Sequence, residues 1–184
     1  MPPADARSVI IFAMETTMGL IRFLAMPTNQ ARAFQRGEPD AYGHAPEQKT
    51  SDGSGIPCRH CLRHVEAGQD YLVLAYRPFS TLQPYAETGP VFLHADECER
   101  APEGDVLSPM FRATPDYILR GYGPDDRIVY GTGGVIPTHK ICGRAHELFE
   151  RDDVAYIHMR SARNNCYQLR IERDEAPATS SPAA

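Results

Sequence analysis

The chain has 184 residues, 42% of them hydrophobic and 23% charged, with a net charge of −5 at pH 7. That length fits one domain, since single cores run to roughly 100–200 residues, and the apolar fraction is sufficient for a core without help from a metal. The acidic balance argues against a protein held to nucleic acid or to an anionic membrane surface by bulk charge.

The segment Val9–Met26 is apolar but is interrupted by Glu15 and Arg22, so no run approaches the roughly 20 residues of a bilayer span. Asp5 and Arg7 cancel at the start of the chain, whereas a secretory signal needs a net positive charge there. A cytoplasmic location with no membrane association is expected. Met14, Met18 and Met26 are alternative starts, which makes residues 1–19 a disordered lead or a mis-assigned start.

Leu20–Ala25 alternates weakly and reads as a first strand, followed by Thr28 as the N-cap of a short helix over Ala31–Arg36. Gly37–Pro57, rich in glycine and proline, reads as a loop. Tyr71–Arg77 and Pro90–His94 have strand composition and are joined by the loop Pro78–Gly89. Tyr117–Tyr122 and Arg127–Tyr130 are expected to pair across the turn Gly123–Asp126, where Asp125 and Asp126 are turn residues. Val135–Ile136 is short and extended. Thr138 is then expected to cap a helix reaching about Arg151, with Ile141, Ala145, Leu148 and Phe149 on one face.

Val154–Met159 and Cys166–Ile171 form an expected strand pair around Ser161–Asn165, and the tail 174–184 has the composition of disorder. The sum is an α+β fold: one domain over 20–173, mainly antiparallel sheet with one late helix. Its expected parts are a zinc-knuckle and β-hairpin element at 57–99, and a sheet with a helix at 115–173.

Five cysteines, two of them in Cys58-Arg59-His60-Cys61, suggest metal or redox chemistry in a reducing compartment rather than a disulfide framework. His94 and Cys98 complete the pattern C-x2-C-x32-H-x3-C. Two cysteines in a tight turn can grip one face of a tetrahedral ion, and the second pair must then be carried back by the chain between them. Here that chain reads as strand, loop and strand, so a β-hairpin returns its end to its beginning. Cys58, Cys61, His94 and Cys98 are therefore the expected ligands of a structural zinc ion, in an order that looks like treble-clef zinc modules. The alternatives are free thiols beside a strand-end histidine, or a redox C-x-x-C, which lacks its usual preceding strand and following helix. His60, inside the knuckle, is a substitute ligand. Cys142 and His146 share a helix face at i and i+4, but no second pair accompanies them and packing is the favoured role.

From Pro57 onward the chain carries a set of short motifs: Pro57–Leu62 (PCRHCL), Tyr76–Phe79 (YRPF), Pro84–Pro90 (PYAETGP) and Phe92–Ala95 (FLHA) with Cys98. Arg120–Tyr122 (RGY), Asp126–Gly133 (DRIVYGTG) and Arg160–Gln168 (RSARNNCYQ) follow. Together they resemble a bacterial family known as domain of unknown function 1203, over about residues 20–173. The resemblance implies no activity, and Cys142 is not part of its pattern.

Arg160, Arg163 and Cys166 lie in a polar segment between two expected strands. Arginine forks there suit a carboxylate or anion, and a thiol beside them is a candidate nucleophile. A plain hairpin with left-handed asparagines is the competing reading. Glu87 is a candidate general base on the loop before His94, and equally a residue that caps its own turn. Gly131–Gly134 matches neither the Walker nor the dinucleotide pattern.

Three functional readings follow: a zinc-stabilised binding module of unknown partner, an enzyme using Cys166, Arg160, Arg163 and Glu87, or a nucleic-acid-binding zinc module, which the acidic charge disfavours.

Overall fold

A computed structural model describes residues 21–174. The expectations for the lead 1–19 and for the tail beyond Asp174 lie outside these residues. In chain order the elements are β1 (Ile21–Leu24), α1 (Thr28–Gln35), β2 (Glu47–Thr50), β3 (Ile56–Pro57), β4 (His64–Val65), β5 (Asp70–Tyr76) and β6 (Gly89–His94). Then come a 3-10 turn at Pro109–Ala113, β7 (Asp116–Tyr122), β8 (Gly134–Pro137), α2 (Ile141–Phe149), β9 (Tyr156–Ser161) and β10 (Tyr167–Arg173). All strand pairs are antiparallel, so the fold is α+β, as expected.

Two sheets carry the architecture. One has five strands in the order β1-β10-β9-β7-β8, the other three in the order β2-β5-β6, and β3 and β4 form a separate two-stranded hairpin. The five-stranded sheet buries one face against α2. Phe23, Leu119, Ile157, Met159, Leu169 and Ile171 meet Ile141, Ala145 and Leu148 of the helix there, at about 1.5–3 kcal/mol per buried large side chain. No described helix is long and apolar enough to cross a membrane.

The opposite face of that sheet follows from the period of two in a strand. His158 of β9 pairs with Arg120 of β7 and with Arg170 of β10, so these three residues share a side. A register shift between Tyr167 and Leu169 sets Tyr167 opposite Arg160. This bulge moves the Tyr167 side chain off the face used by Leu169 and Ile171 and onto the polar face. A second core, built from Met26, Cys58, Cys61, Leu72, Leu74, Val91 and Leu93, receives that same Tyr167. One aromatic ring therefore joins the two halves.

Four sequence expectations are corrected. Glu47–Thr50, read as loop, is an edge strand exposed along its whole length, and without a buried face it has no alternation to betray it. Arg127–Tyr130 is not a strand: Ile128 makes only an isolated bridge to Tyr122, and β8 takes the pairing with β7 instead. Neither threonine caps a helix, because a proline precedes each one at the cap position. The Thr28 hydroxyl bonds the His60 ring and that of Thr138 donates to the Thr114 carbonyl.

Candidate metal centre

The knuckle is formed by backbone constraints. Leu62 N–H donates to the Cys58 carbonyl at 3.1 Å and Cys58 N–H to the Arg63 carbonyl at 3.0 Å. Leu62 adopts a φ of 50°, a left-handed conformation rare for a bulky residue, and burial of its side chain in the main core holds it there. A bridge between Cys58 and Phe92, with Arg59 N–H donating to the Phe92 carbonyl, aligns the knuckle with β6. His94 ends that strand and Cys98 lies in the coil just beyond it.

These constraints bring one donor atom from each of Cys58, Cys61, His94 and Cys98 to within 4.8 Å of one another. Cys58 Sγ lies 3.9 Å from Cys98 Sγ, and Cys61 Sγ lies 3.5 Å from His94 Nδ1. Cys58 and Cys61 are buried; the other two residues are partly so. Side-chain hydrogen bonds from Cys61 and Cys98 draw the Cys58 thiol far down, and the same crowding pushes Cys98 up. Thiolates this close repel one another, and a cation among them relieves that repulsion. A Cys3His group of this kind is one that a metal ion can occupy, and its donors fit a soft or borderline divalent ion.

His60 is not among the four. It is fully buried, with Nδ1 3.2 Å from Cys98 Sγ and Nε2 3.0 Å from the Thr28 hydroxyl. Burial lowers its pKa and nearby Arg32 adds to this, so the ring is neutral. With Cys98 as the acceptor, Nδ1 carries the proton and Nε2 accepts from Thr28. His60 thus orients the Cys98 sulfur, as a hydrogen-bonded neighbour does in metal sites.

Helix α1 braces the other side of the cluster. Arg32 donates to the Cys98 carbonyl at 2.8 Å, and Gln35 donates to the carbonyls of His94 and Asp96 at 3.0 and 2.7 Å. None of these helix residues was marked by the C-x-x-C pattern, because they bond backbone carbonyls rather than the side chains of the cluster.

Arg59, also inside the knuckle, is 2% exposed. Its Nε donates to the Tyr167 carbonyl at 2.5 Å and one Nη to the Pro57 carbonyl at 2.6 Å. Burial pushes this guanidinium down to about 10, against the opposing pull of Cys166 and Cys58. It stays charged, and it ties the knuckle to β10.

The candidate catalytic residues fall into two groups. Glu87 and Arg160 meet: Glu87 lies 2.9 Å from Arg160 Nη2 and 2.6 Å from Arg120 Nη1, and accepts from the Tyr122 hydroxyl at 3.1 Å. Burial raises the Glu87 pKa, but Arg160 and Arg120 outweigh it and hold the carboxyl below its usual value. A carboxylate clasped by two arginines is a poor proton acceptor. Arg160 also donates to the Asn165 carbonyl, while Arg163 points outward, 69% exposed and 3.7 Å from Asp116. The Cys166 thiol donates to the Asn164 carbonyl at 3.6 Å. Asn165 has a φ of 55°, the left-handed asparagine of a hairpin turn. Cys142 is half-buried beside the main core, in a packing role.

A family described as "protein of unknown function (DUF1203)" matches residues 55–173. The chain belongs to this family. The span matched in this DUF1203 chain includes all four residues of the cluster together with Arg59 and His60, and leaves β1, α1 and β2 outside. No curated protein and no solved structure matches the chain.

Proposed function

We propose that Cys58, Cys61, His94 and Cys98 hold one structural zinc ion, and that the DUF1203 chain is a binding module whose knuckle zinc pins in place. The observation that carries this is the set of donor separations. Zinc bonds of about 2.3 Å to sulfur and 2.0–2.1 Å to nitrogen require tetrahedral edges of about 3.8 Å for S···S and about 3.5 Å for S···N. The distances of 3.9 and 3.5 Å match them. Four protein ligands saturate the ion, which leaves no position for a reactive water and makes the site structural.

Charge supports the same reading. Zinc with three thiolates and a neutral imidazole carries a net charge of about −1, and the buried Arg59 guanidinium beside it bonds carbonyls rather than a carboxylate. Each ion compensates the other. Three reduced thiols in the ligand set support a cytoplasmic location. The arrangement also supports one domain over residues 20–173 made of two joined halves, with α1 holding the loop after β6 and Arg59 reaching β10. The net charge of −5 favours a partner other than nucleic acid.

Metal analysis of protein purified without chelator tests the reading. One zinc per chain is expected, falling below a tenth of that in Cys58→Ser. A folded, metal-free native chain would overturn it.

A further inference from the structure

A cavity of about 350 Å³ opens on the polar face of the five-stranded sheet, between the bulged end of β10, the exit of β5 and the entry to α1. Its size is at the low end for small-molecule sites. The rings of Tyr76, Phe79 and Tyr167 form its apolar walls, and Arg77, Arg100, His158, Arg170 and Glu172 are among its polar lining.

His158 is the unusual member. It is fully buried, and neither ring nitrogen has a hydrogen-bond partner among the described residues. Aromatic rings surround it, with centroids at 4.8 Å for Tyr122, 5.0 Å for Tyr156 and Tyr167, and 5.1 Å for Phe79. An unmet buried polar atom costs about 1–3 kcal/mol, and phenylalanine would fill such an aromatic nest without that cost. Arg77 repeats the pattern, because its buried Nε also lacks a partner among the described residues.

The other two arginines are committed. Arg100 donates to the carbonyls of Ala25 and Met26 and pairs with Glu103 at 2.6 Å. Arg170 pairs with Glu172 at 2.6 Å and stacks 3.6 Å above the Tyr156 ring. Among the described residues, one guanidinium of the cavity is therefore left for a ligand, beside an imidazole that can donate one hydrogen bond and accept another.

We propose that this cavity binds a small monocarboxylate with a flat apolar body. Arg77 and His158 supply the hydrogen bonds to the carboxylate, and the body lies against Tyr76, Phe79 and Tyr167. A single spare guanidinium matches a single negative charge, and Glu172 at the rim disfavours a dianion. The bulge in β10 that brings Tyr167 onto this face is the kind of local distortion that re-aims a side chain at a site. The site is separate from the metal cluster and extends the binding-module reading by naming a ligand class.

The test is calorimetric titration of the zinc-loaded full chain with benzoate as the probe, and with inorganic phosphate in parallel. Saturable one-site benzoate binding is expected, weakened at least tenfold in Arg77→Met and in His158→Phe, with no saturable phosphate binding. Absence of saturable benzoate binding, phosphate binding as tight as benzoate, or unchanged benzoate affinity in Arg77→Met would overturn the proposal. Arg77 is only partly buried, so that variant keeps the test valid should His158→Phe fail to fold. Zinc content measured on the same samples separates failure of this site from failure of the metal centre.

Discussion

The two halves of the molecule are held together by different physics. Around α2 and the inner face of the five-stranded sheet, stability comes from a continuous apolar core of strand and helix side chains. Around the knuckle, the three-stranded sheet has one edge strand exposed along its length, and the ligand loop beyond β6 has no regular structure. Specific polar contacts supplement the smaller core of Leu72, Leu74, Val91 and Leu93 there: four donor atoms in a cluster, α1 gripping three carbonyls, and Arg59 reaching across to β10. A core tolerates many small losses, whereas a ligand cluster depends on a few atoms. The two halves should therefore fail separately.

Metal removal breaks the comparison most strongly. After stripping with a chelator at neutral pH, hydrogen exchange should show amide protection in β5, β6 and the knuckle falling by at least about a thousandfold, or about 4 kcal/mol. Protection in β7, β9 and β10 should persist. Equal loss in both halves would show that they are one cooperative unit. Next comes the tie between them. Arg59→Met leaves the Tyr167 and Pro57 carbonyls without their donors, and the expected cost is about 2–3 kcal/mol in denaturant unfolding, with the knuckle transition separating from that of the sheet. The smallest effect concerns the ligand's own support. His60→Ala, which removes the hydrogen bond to Cys98, should weaken metal binding about 10–100-fold in a competition titration with a zinc chelator, while leaving unfolding of the sheet half unchanged.

What the sequence disclosed follows the same division. The four members of the Cys3His group were legible because metal binding demands particular residue types, and because the β5–β6 hairpin was visible in its β-branched and aromatic composition. The apolar face of α2 was legible from its helical period. Residues whose roles are set by tertiary context were hidden. Arg59 sits in a motif where a charged residue usually reads as solvated, and its burial depends on β10, more than a hundred residues away. His158 lies in a strand buried on both faces, where alternation carries no signal. Thr28 has the residue type of a cap, yet its hydroxyl serves His60. The glycine and proline that bound Val135–Ile136 leave only a short extended stretch to read, so the sequence pairs Tyr117–Tyr122 with Arg127–Tyr130 instead of β8. Glu87 and Arg160 belong to one candidate site in the sequence reading, but their ion pair was hidden because the loop that carries Glu87 has no period to read.

The central claim is a closed Cys3His zinc centre. X-ray absorption at the zinc edge of the native chain tests it most directly. Three sulfur neighbours at about 2.3 Å and one nitrogen at about 2.0–2.1 Å are predicted, with no further light-atom neighbour. A folded native chain without zinc, or a zinc shell with fewer than three sulfurs and a bound water, would contradict it.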